Sequence, residues 1–269
     1  MTPAPTHRIS AIGRPASVAA ACALAIMTKV PRPRHVKTRL VPPLTFEEAA
    51  GLHTAFLRDT ADNIAAVSAA DACAGVAVYT PVGTEPQLSE LLPRSFRLVP
   101  QRGDGFGDRL ASGVADLLAA GYASACLIDS DSPTLPSAAL ADAAAALARP
   151  GERMVLGPAD DGGYYLIGLT RSRPELFADI AWSTDRVLAE TIARARELGL
   201  DVELLPRWYD VDDGPSLVRL CEELFADDEA TGMRPGYGAP HSRQFLRGLL
   251  RRDPKRIWPL HAAGSRLPP

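Results

Sequence analysis

The segment Ala125-Cys-Leu-Ile-Asp129-Ser-Asp131-Ser-Pro133 joins a short, strongly apolar run to two aspartates. Its apolar part predicts a buried β-strand over residues 125–129. Because side chains two apart on an extended backbone face the same side, the carboxylates of Asp129 and Asp131 can converge on one cation. Ligands that are all oxygen suit Mg²⁺ or Mn²⁺. The alternative interpretation is an aspartate-rich turn in which Asp131 or Ser132 caps the next segment of the chain.

On both sides of this segment the chain alternates strand-like and helix-like patterns. Strands are predicted at residues 23–28, 75–80, 96–99, 125–129, 154–157, 165–169 and 202–205. A capping box from Thr45 to Glu48 predicts the start of a helix. Later helix caps are expected at Ser137, at Ser183 or Thr184, and at Asp213. The alternation predicts an α/β fold with a mainly parallel sheet and helices on both faces, which binds ligands at the carboxyl ends of its strands.

Composition limits the classes of protein to which the chain can belong. It has 269 residues, of which 46% are hydrophobic and 23% charged, and its net charge is −3. This composition is typical of a globular protein, and the low net charge argues against binding to nucleic acid. No apolar run approaches the roughly 20 residues that a membrane-spanning helix needs. The four cysteines are scattered and show no metal-binding pattern, so we expect reduced thiols and a cytoplasmic location.

Three regions of the chain differ in composition and in periodicity. Residues 1–22 show no periodicity and are expected to form a flexible tail, whereas residues 23–226 carry the strand and helix patterns. Residues 227–269 form a basic extension rich in proline, glycine and arginine, with room for a short helix near 242–251. The extension is interpreted either as a solvated segment or as a contact surface for an acidic partner or a second copy in a homodimer.

A basic segment follows the first predicted strand. It runs from Lys29 through Lys37-Thr-Arg39-Leu40 and contains five further residues that are proline, arginine or histidine. A basic loop at the carboxyl end of a strand can bind phosphate, because lysine supplies a point charge and arginine a forked donor. The spacing is not that of a Walker loop. The alternative is a solvated basic loop.

The glycine-rich segment 157–168 contains Asp160-Asp161-Gly162-Gly163-Tyr164. An Asp-Gly pair between two apolar runs predicts a hairpin turn. A hairpin can also present an acid to a substrate, and Asp161 could then act as a general base or hold an acceptor hydroxyl.

Two shorter motifs lie further along the chain. In Asp210-Val-Asp212-Asp213, one of the first two aspartates could complete a metal site, while Asp213 is expected to cap the last helix of the main region. In Ala181-Trp182-Ser-Thr-Asp185, Trp182 is expected to pack in the interior, with stacking on a sugar or base as the alternative. The five histidines show no ligand spacing.

Taken in order, these motifs resemble a bacterial family of GT-A-like transferases, of the radical-SAM/selenodomain-associated glycosyltransferase type, in the nucleotide-diphospho-sugar transferase superfamily. The resemblance extends from about residue 23 to residue 225 and includes Gly107-Asp-Arg109-Leu. Two departures stand out. Arg34 or His35 replaces a glycine of the family's basic loop, and Asp129 replaces another glycine, which creates an Asp-x-Asp pair typical of GT-A glycosyltransferases.

The resemblance implies a GT-A fold, which is a Rossmann-like nucleotide-diphospho-sugar transferase domain, and a set of site residues. Metal ligands would be Asp129, Asp131 and Asp212. Substrate and nucleotide contacts would come from Lys29, Lys37, Arg39, Arg109, Asp129, Gly162, Gly163, Tyr164 and Trp182. From its place in the predicted hairpin, and not from the resemblance, Asp161 is expected to be the catalytic residue.

The leading functional hypothesis is a metal-dependent glycosyltransferase that uses Mg²⁺ or Mn²⁺ and a nucleotide sugar such as a UDP-sugar. Its acceptor would be a small molecule, free or bound to a carrier protein. The alternative is a nucleotidyltransferase that joins an NTP to a phosphorylated small molecule and releases pyrophosphate. A third hypothesis is a nucleotide-binding module without catalytic activity.

Overall fold

A seven-stranded sheet organises the chain in the computed structural model, which describes residues 21–70, 73–225 and 236–253. The strands are β1 (Cys22–Lys29), β2 (Cys73–Thr80), β3 (Arg97–Pro100), β4 (Ser124–Ile128), β5 (Arg153–Pro158), β6 (Tyr164–Leu169) and β7 (Asp201–Leu204). Their order across the sheet is β3-β2-β1-β4-β6-β5-β7. β6 is antiparallel to both of its neighbours, and the other pairs are parallel. The predicted mainly parallel sheet is confirmed.

Helices cover both faces of this sheet, as predicted. They are α1 (Phe46–Ala70), α2 (Glu85–Leu91), α3 (Phe106–Ala119), α4 (Ser137–Ala148), α5 (Val187–Glu197), α6 (Gly214–Phe225) and α7 (Pro240–Arg252). Alternate residues of β1 point to opposite faces of the sheet. Leu24 and Ile26 pack in a core with α1, α4, α6 and α7, whereas Ala23 and Ala25 pack in a second core with α3 and α5. Within the described residues, no helix is long and apolar enough to cross a membrane.

Two of the expected helix caps are confirmed. The Glu48 amide donates to Thr45 Oγ1 at 3.1 Å and the Thr45 amide to Glu48 Oε2 at 2.9 Å, which forms the predicted capping box. The amide of Ser216 donates to Asp213 Oδ1 at 2.9 Å at the start of α6.

The caps expected for α4 and α5 are wrong. Ser137 is the first residue of α4 rather than its cap, and its hydroxyl donates instead to Asn63 Oδ1 of α1. α5 begins only at Val187, with Arg186 in the cap position, and Ser183 lies before it in a left-handed conformation with φ of 64°. The short helix α2 has no counterpart among the predicted elements.

The described part of the C-terminal extension is built into the fold. Asp59 of α1 is fully buried and accepts hydrogen bonds from the amides of His241 (2.9 Å) and Ser242 (2.8 Å) at the start of α7. Leu246 and Leu249 of α7 lie in the same core as α1. Residues 1–20 of the expected tail, and residues 227–235 and 254–269 of the extension, lie outside the described residues.

The substitution Leu246→Ala is expected to lower the free energy of unfolding by about 2 kcal/mol, because this side chain is fully buried between α7 and the main core. Urea denaturation followed by circular dichroism measures the effect. Arg251→Ala, an exposed change on the same helix, should stay within about 0.5 kcal/mol of the unmodified protein. Equal stability of both variants would show that α7 is not part of the cooperative fold.

Candidate active site

A cleft of about 550 Å³ opens where the carboxyl ends of β1 and β4 meet the β5–β6 turn. Six aspartates line it: Asp129, Asp131, Asp161, Asp185, Asp210 and Asp212. Four of them are the acids predicted for the site. They come together because β4, β5 and β7 run in parallel, so that the segments following these strands reach the same edge of the sheet.

Asp129 shapes the backbone at the end of β4. Its Oδ1 accepts the amides of Asp131 (3.1 Å) and Ser132 (3.2 Å), and its Oδ2 accepts the Ser132 hydroxyl at 3.0 Å. The turn is therefore made by Asp129 and not by a cap at Asp131 or Ser132. Burial, together with the charges of Asp131 and Asp210, raises the pKa of Asp129 well above its usual value.

Asp131 and Asp212 are joined by Lys37. The ammonium lies 2.6 Å from Asp131 Oδ1 and 2.8 Å from Asp212 Oδ1, and it also donates to the carbonyl of Val211 at 2.8 Å. The Lys37 side chain is only 4% exposed. Burial alone would lower the pKa of Lys37, but the two carboxylates outweigh it and hold this pKa above the usual value. The same pairing keeps the pKa of Asp131 below its usual value although burial would raise it.

The four basic residues that are expected to contact phosphate therefore have different surroundings in the structure. All three Nζ–H donors of Lys37 are directed at the protein itself. Arg39 is exposed and lines the cleft, with Nη1 3.6 Å from Asp212 Oδ2. Lys29 is exposed at the end of β1, and Arg109 donates from Nε to its own loop at the Gly103 carbonyl (3.2 Å). Among these four, Arg39 is the cation that the cleft presents to a ligand.

The β5–β6 turn brings Asp161 into the cleft, and the predicted hairpin is confirmed. Asp161 Oδ1 accepts the amide of Gly163 at 2.8 Å. Gly162 has φ of +89°, and a Cβ there would lie 2.2 Å from the carbonyl oxygen of Asp185. Glycine is thus required for the turn to pack against the segment that carries Trp182 and Asp185. Asp185 was not predicted as a site residue, although it belongs to the motif that contains Trp182.

Asp210 lies among other acids of the cleft. Burial first, and then the neighbouring charges of Asp161 and Asp212, raise the pKa of Asp210 to about 6. Carboxylates held together in this way repel each other unless a cation or a proton intervenes.

We expect the variant Asp210→Asn to be more stable than the unmodified protein at about pH 7.5, by about 1 kcal/mol after allowance for partial exposure. The folded-state pKa of about 6 lies above the unfolded value of about 3.9. The ionised carboxylate therefore opposes folding as the pH rises through this window, and below it the penalty disappears. Thermal unfolding without divalent cations, at about pH 4 and about pH 7.5, measures the difference. A stabilisation of equal size at both pH values would contradict the assignment.

An aromatic surface forms another part of the cleft. Phe106, at the start of α3, is 52% exposed, and its ring meets that of Trp182 edge to face at a centroid distance of 5.1 Å. Trp182 is partly buried and packs against the second core, so both of its predicted roles remain compatible with its position. Tyr164 also lines the cleft. Aromatic side chains beside a polar cluster are typical of ligand pockets.

His53 of α1 is a site residue that sequence reasoning missed. Its side chain is buried, Nε2 lies 3.3 Å from the carbonyl oxygen of Lys29, and Nδ1 lies 3.8 Å from Asp131 Oδ1. Nδ1 has no hydrogen-bond partner. The histidines are not spaced like metal ligands in the sequence, so their pattern does not distinguish His53 from the others. A signal was present, however, in a histidine that lies among the apolar residues Leu52, Phe56 and Leu57 of α1.

The donor set fits an open site for one divalent cation. Among the described residues, no three Asp, Glu, His or Cys side chains are close enough to enclose a metal ion. Mg²⁺ and Mn²⁺ are commonly held by one or two carboxylates and complete their ligand shells with water and substrate phosphate. Every described contact of the Asp131 carboxylate falls on Oδ1, which leaves Oδ2 without a partner. The orphaned Nδ1 of His53 lies beside this carboxylate.

Comparison with known proteins agrees with this fold. A crystal structure from Desulfovibrio desulfuricans G20, of a protein provisionally assigned as a nucleotide-diphospho-sugar transferase, aligns with a TM-score of 0.72 and 26% identity over 88% of this chain and 96% of its own. A cytidylyltransferase from Leptospira borgpetersenii aligns with a TM-score of 0.50 and 10% identity over 92% of this chain and 100% of its own, which is a likeness of fold alone.

Sequence comparison finds a family similarity in the middle of the chain. No curated protein matches the chain. Residues 63–184, which extend from α1 to the Trp182 motif, match the model of a family described as uncharacterized protein conserved in bacteria (DUF2064). The chain is therefore similar to the DUF2064 family over residues 63–184, and it has the fold of the nucleotide-diphospho-sugar transferases.

Proposed function

We propose that the protein is a metal-dependent glycosyltransferase that moves a sugar from a nucleoside diphosphate to a hydroxyl acceptor. The observation that carries the proposal is the Asp129–Asp131 pair at the end of β4, in one cleft with Arg39 and Asp161. Metal ligand, phosphate ligand and candidate base are the three parts that this reaction needs.

The proposed roles follow from the contacts of each side chain. Asp131, through its free Oδ2, and Asp129 would hold Mg²⁺ or Mn²⁺. When bound, such a cation offsets the negative charge that develops on the leaving nucleoside diphosphate. Arg39 supplies a forked donor to the same phosphates. Lys37 fixes Asp131 and Asp212 in place rather than binding phosphate, because its three donors are already used.

Asp161 is proposed to receive the acceptor hydroxyl. Its Oδ1 is held by the Gly163 amide, so the carboxylate is oriented while Oδ2 accepts no hydrogen bond from a described residue. A carboxylate in this position can orient a hydroxyl and remove its proton as the bond to the sugar forms. The acceptor is a small molecule, free or attached to a carrier protein.

A nucleotidyltransferase is the second candidate. It is favoured by exposed cations at the end of β1 and in the segment that follows it, where Lys29, Arg32 and Arg34 can match the additional charge of a triphosphate. This reaction would release pyrophosphate and not a nucleoside diphosphate.

Product analysis distinguishes the two reactions. The purified protein with Mn²⁺ is incubated with UDP-sugars and, separately, with the four NTPs and phosphorylated acceptors, and nucleoside diphosphate and pyrophosphate are quantified. Release of nucleoside diphosphate that stops with a chelator supports the proposal, and pyrophosphate release supports the second candidate. Tight nucleotide binding without either product would overturn both and favour a binding module.

Asp129→Asn tests the cation site in the same assay. Asparagine keeps the oxygen that accepts the turn amides and replaces the charged Oδ2, which accepts the Ser132 hydroxyl, with an amide nitrogen. Metal-dependent turnover is therefore expected to fall while the fold is retained. Asp201→Asn, an exposed aspartate at the start of β7, is the control and should leave turnover unchanged.

A further inference from the structure

The environment of the buried His53 is unusual because both ring nitrogens face acceptors. Nε2 lies 3.3 Å from the carbonyl oxygen of Lys29, the last residue of β1, and Nδ1 lies 3.8 Å from Asp131 Oδ1. A neutral imidazole has a single N–H and can serve only one acceptor at a time. Nδ1 is the nitrogen that lacks a partner.

Nδ1 of His53 is one of the groups that surround the carboxylate of Asp131. Three neighbours gather around its Oδ1: Lys37 Nζ at 2.6 Å, the Ser130 hydroxyl at 3.3 Å and His53 Nδ1 at 3.8 Å. These contacts hold one oxygen of the carboxylate towards the protein, which turns Oδ2 away from them. His53 stands on helix α1, while Lys37 lies on the loop that precedes it, so Asp131 is supported from two separate elements.

We propose that His53 is a positioning residue for Asp131, and that its Nδ1 side sets the direction in which Asp131 presents Oδ2 to a divalent cation. The proposal rests on the proposed function, since it takes Asp131 as a metal ligand. Groups behind a ligating carboxylate commonly change metal affinity 10- to 100-fold when they are removed, because they fix the orientation of the ligand.

Substitution of His53 with asparagine or glutamine tests the contacts of the two ring nitrogens separately. In His53→Asn, the amide nitrogen occupies roughly the place of Nδ1 and can donate to Asp131, while the contact with Lys29 is lost. In His53→Gln, the longer side chain places its amide nitrogen near the position of Nε2, so the contact with Lys29 is kept and that with Asp131 is lost. The pair therefore distinguishes support of Asp131 from support of β1.

The experiment measures the affinity of the full chain for Mn²⁺ alone, and then with UDP, from the free-ion signal in electron paramagnetic resonance. His53→Ala and His53→Gln are expected to weaken Mn²⁺ binding by about 10-fold or more, and His53→Asn to remain within about threefold of the unmodified protein. The control is Asp59→Asn, a buried change on the same helix next to α7, which should lower stability without changing Mn²⁺ affinity.

Each other outcome has a definite meaning. Unchanged Mn²⁺ affinity in His53→Ala, or rescue by Gln instead of Asn, would overturn the role of His53 while leaving the proposed function intact. A parallel loss of affinity in Asp59→Asn would show that the effect follows stability and would also overturn it. Absence of Mn²⁺ binding by the unmodified protein, with and without UDP, would remove the cation site and with it the basis of the proposed function.

Discussion

Replacing Lys37 with methionine is expected to lower the free energy of unfolding by about 3 kcal/mol. Methionine matches the apolar stem of lysine but leaves the carboxylates of Asp131 and Asp212 without the ammonium that lies 2.6 Å and 2.8 Å from them. Breaking a buried ion pair from one side is costly because the remaining charge stays partly desolvated. We expect the lower end of the usual range, since these carboxylates are 32% and 38% exposed.

Urea denaturation at neutral pH measures this loss, and the chain supplies a matched control. Lys29→Met changes an exposed lysine of the same segment and should alter stability by less than about 0.5 kcal/mol. The double variant Lys37→Met with Asp131→Asn should recover part of the loss, because it removes one of the two repelling charges. A loss below about 1 kcal/mol for Lys37→Met alone would contradict a structural role for this ion pair.

The substitution Asp161→Asn is expected to reduce the turnover number of the proposed transfer by roughly 100- to 10,000-fold, the range found when a general base is removed. Because Asp161 lies on the β5–β6 turn and not on the segment after β1, the KM for the nucleotide donor should stay within about threefold of the original value. Initial rates of nucleoside diphosphate release, at several donor concentrations, give both constants.

Asp160 provides the control for this prediction. It precedes Asp161 directly, but its carboxylate is held by Arg219 at 2.6 Å and does not line the cleft. Asp160→Asn should therefore leave the turnover number within about twofold of the original value. Equal turnover of the two variants would exclude Asp161 as the base.

The sheet and the acidic edge could be predicted because their signals are local. The buried run before Asp129 marks a strand, and in a parallel sheet the segments that follow the strands meet at one edge. Asp161 was placed for a similar reason, since Asp-Gly between two apolar runs predicts a hairpin. These patterns and the parallel arrangement of the strands are sufficient to predict that the aspartates lie in one cleft.

Other features depend on distant contacts that no local pattern contains. A lysine in a basic loop resembles a phosphate ligand. Only the ion pair with Asp212, 175 residues later in the chain, shows that the charge of Lys37 is balanced within the protein. His53 was overlooked because it lies within a helix whose partner, Asp131, is far along the sequence. Ser137 has the composition of a cap, yet its hydroxyl is taken by Asn63. The helix α7 was expected only as a short element of an extension, and it is the buried Asp59 that anchors it.

The reversed direction of β6 places the proposed site residues on two structurally separate parts of the sheet. Because β5 and β6 are joined by a tight turn, Asp161 is carried by a short local hairpin, whereas Asp129 and Asp131 depend on the long-range pairing of β4 with β1. Adding or removing a residue between Pro158 and Tyr164 would shift Asp161 without disturbing the central strands. Under the proposed function, a small insertion there would thus move the group that receives the acceptor while the residues that bind the donor keep their positions.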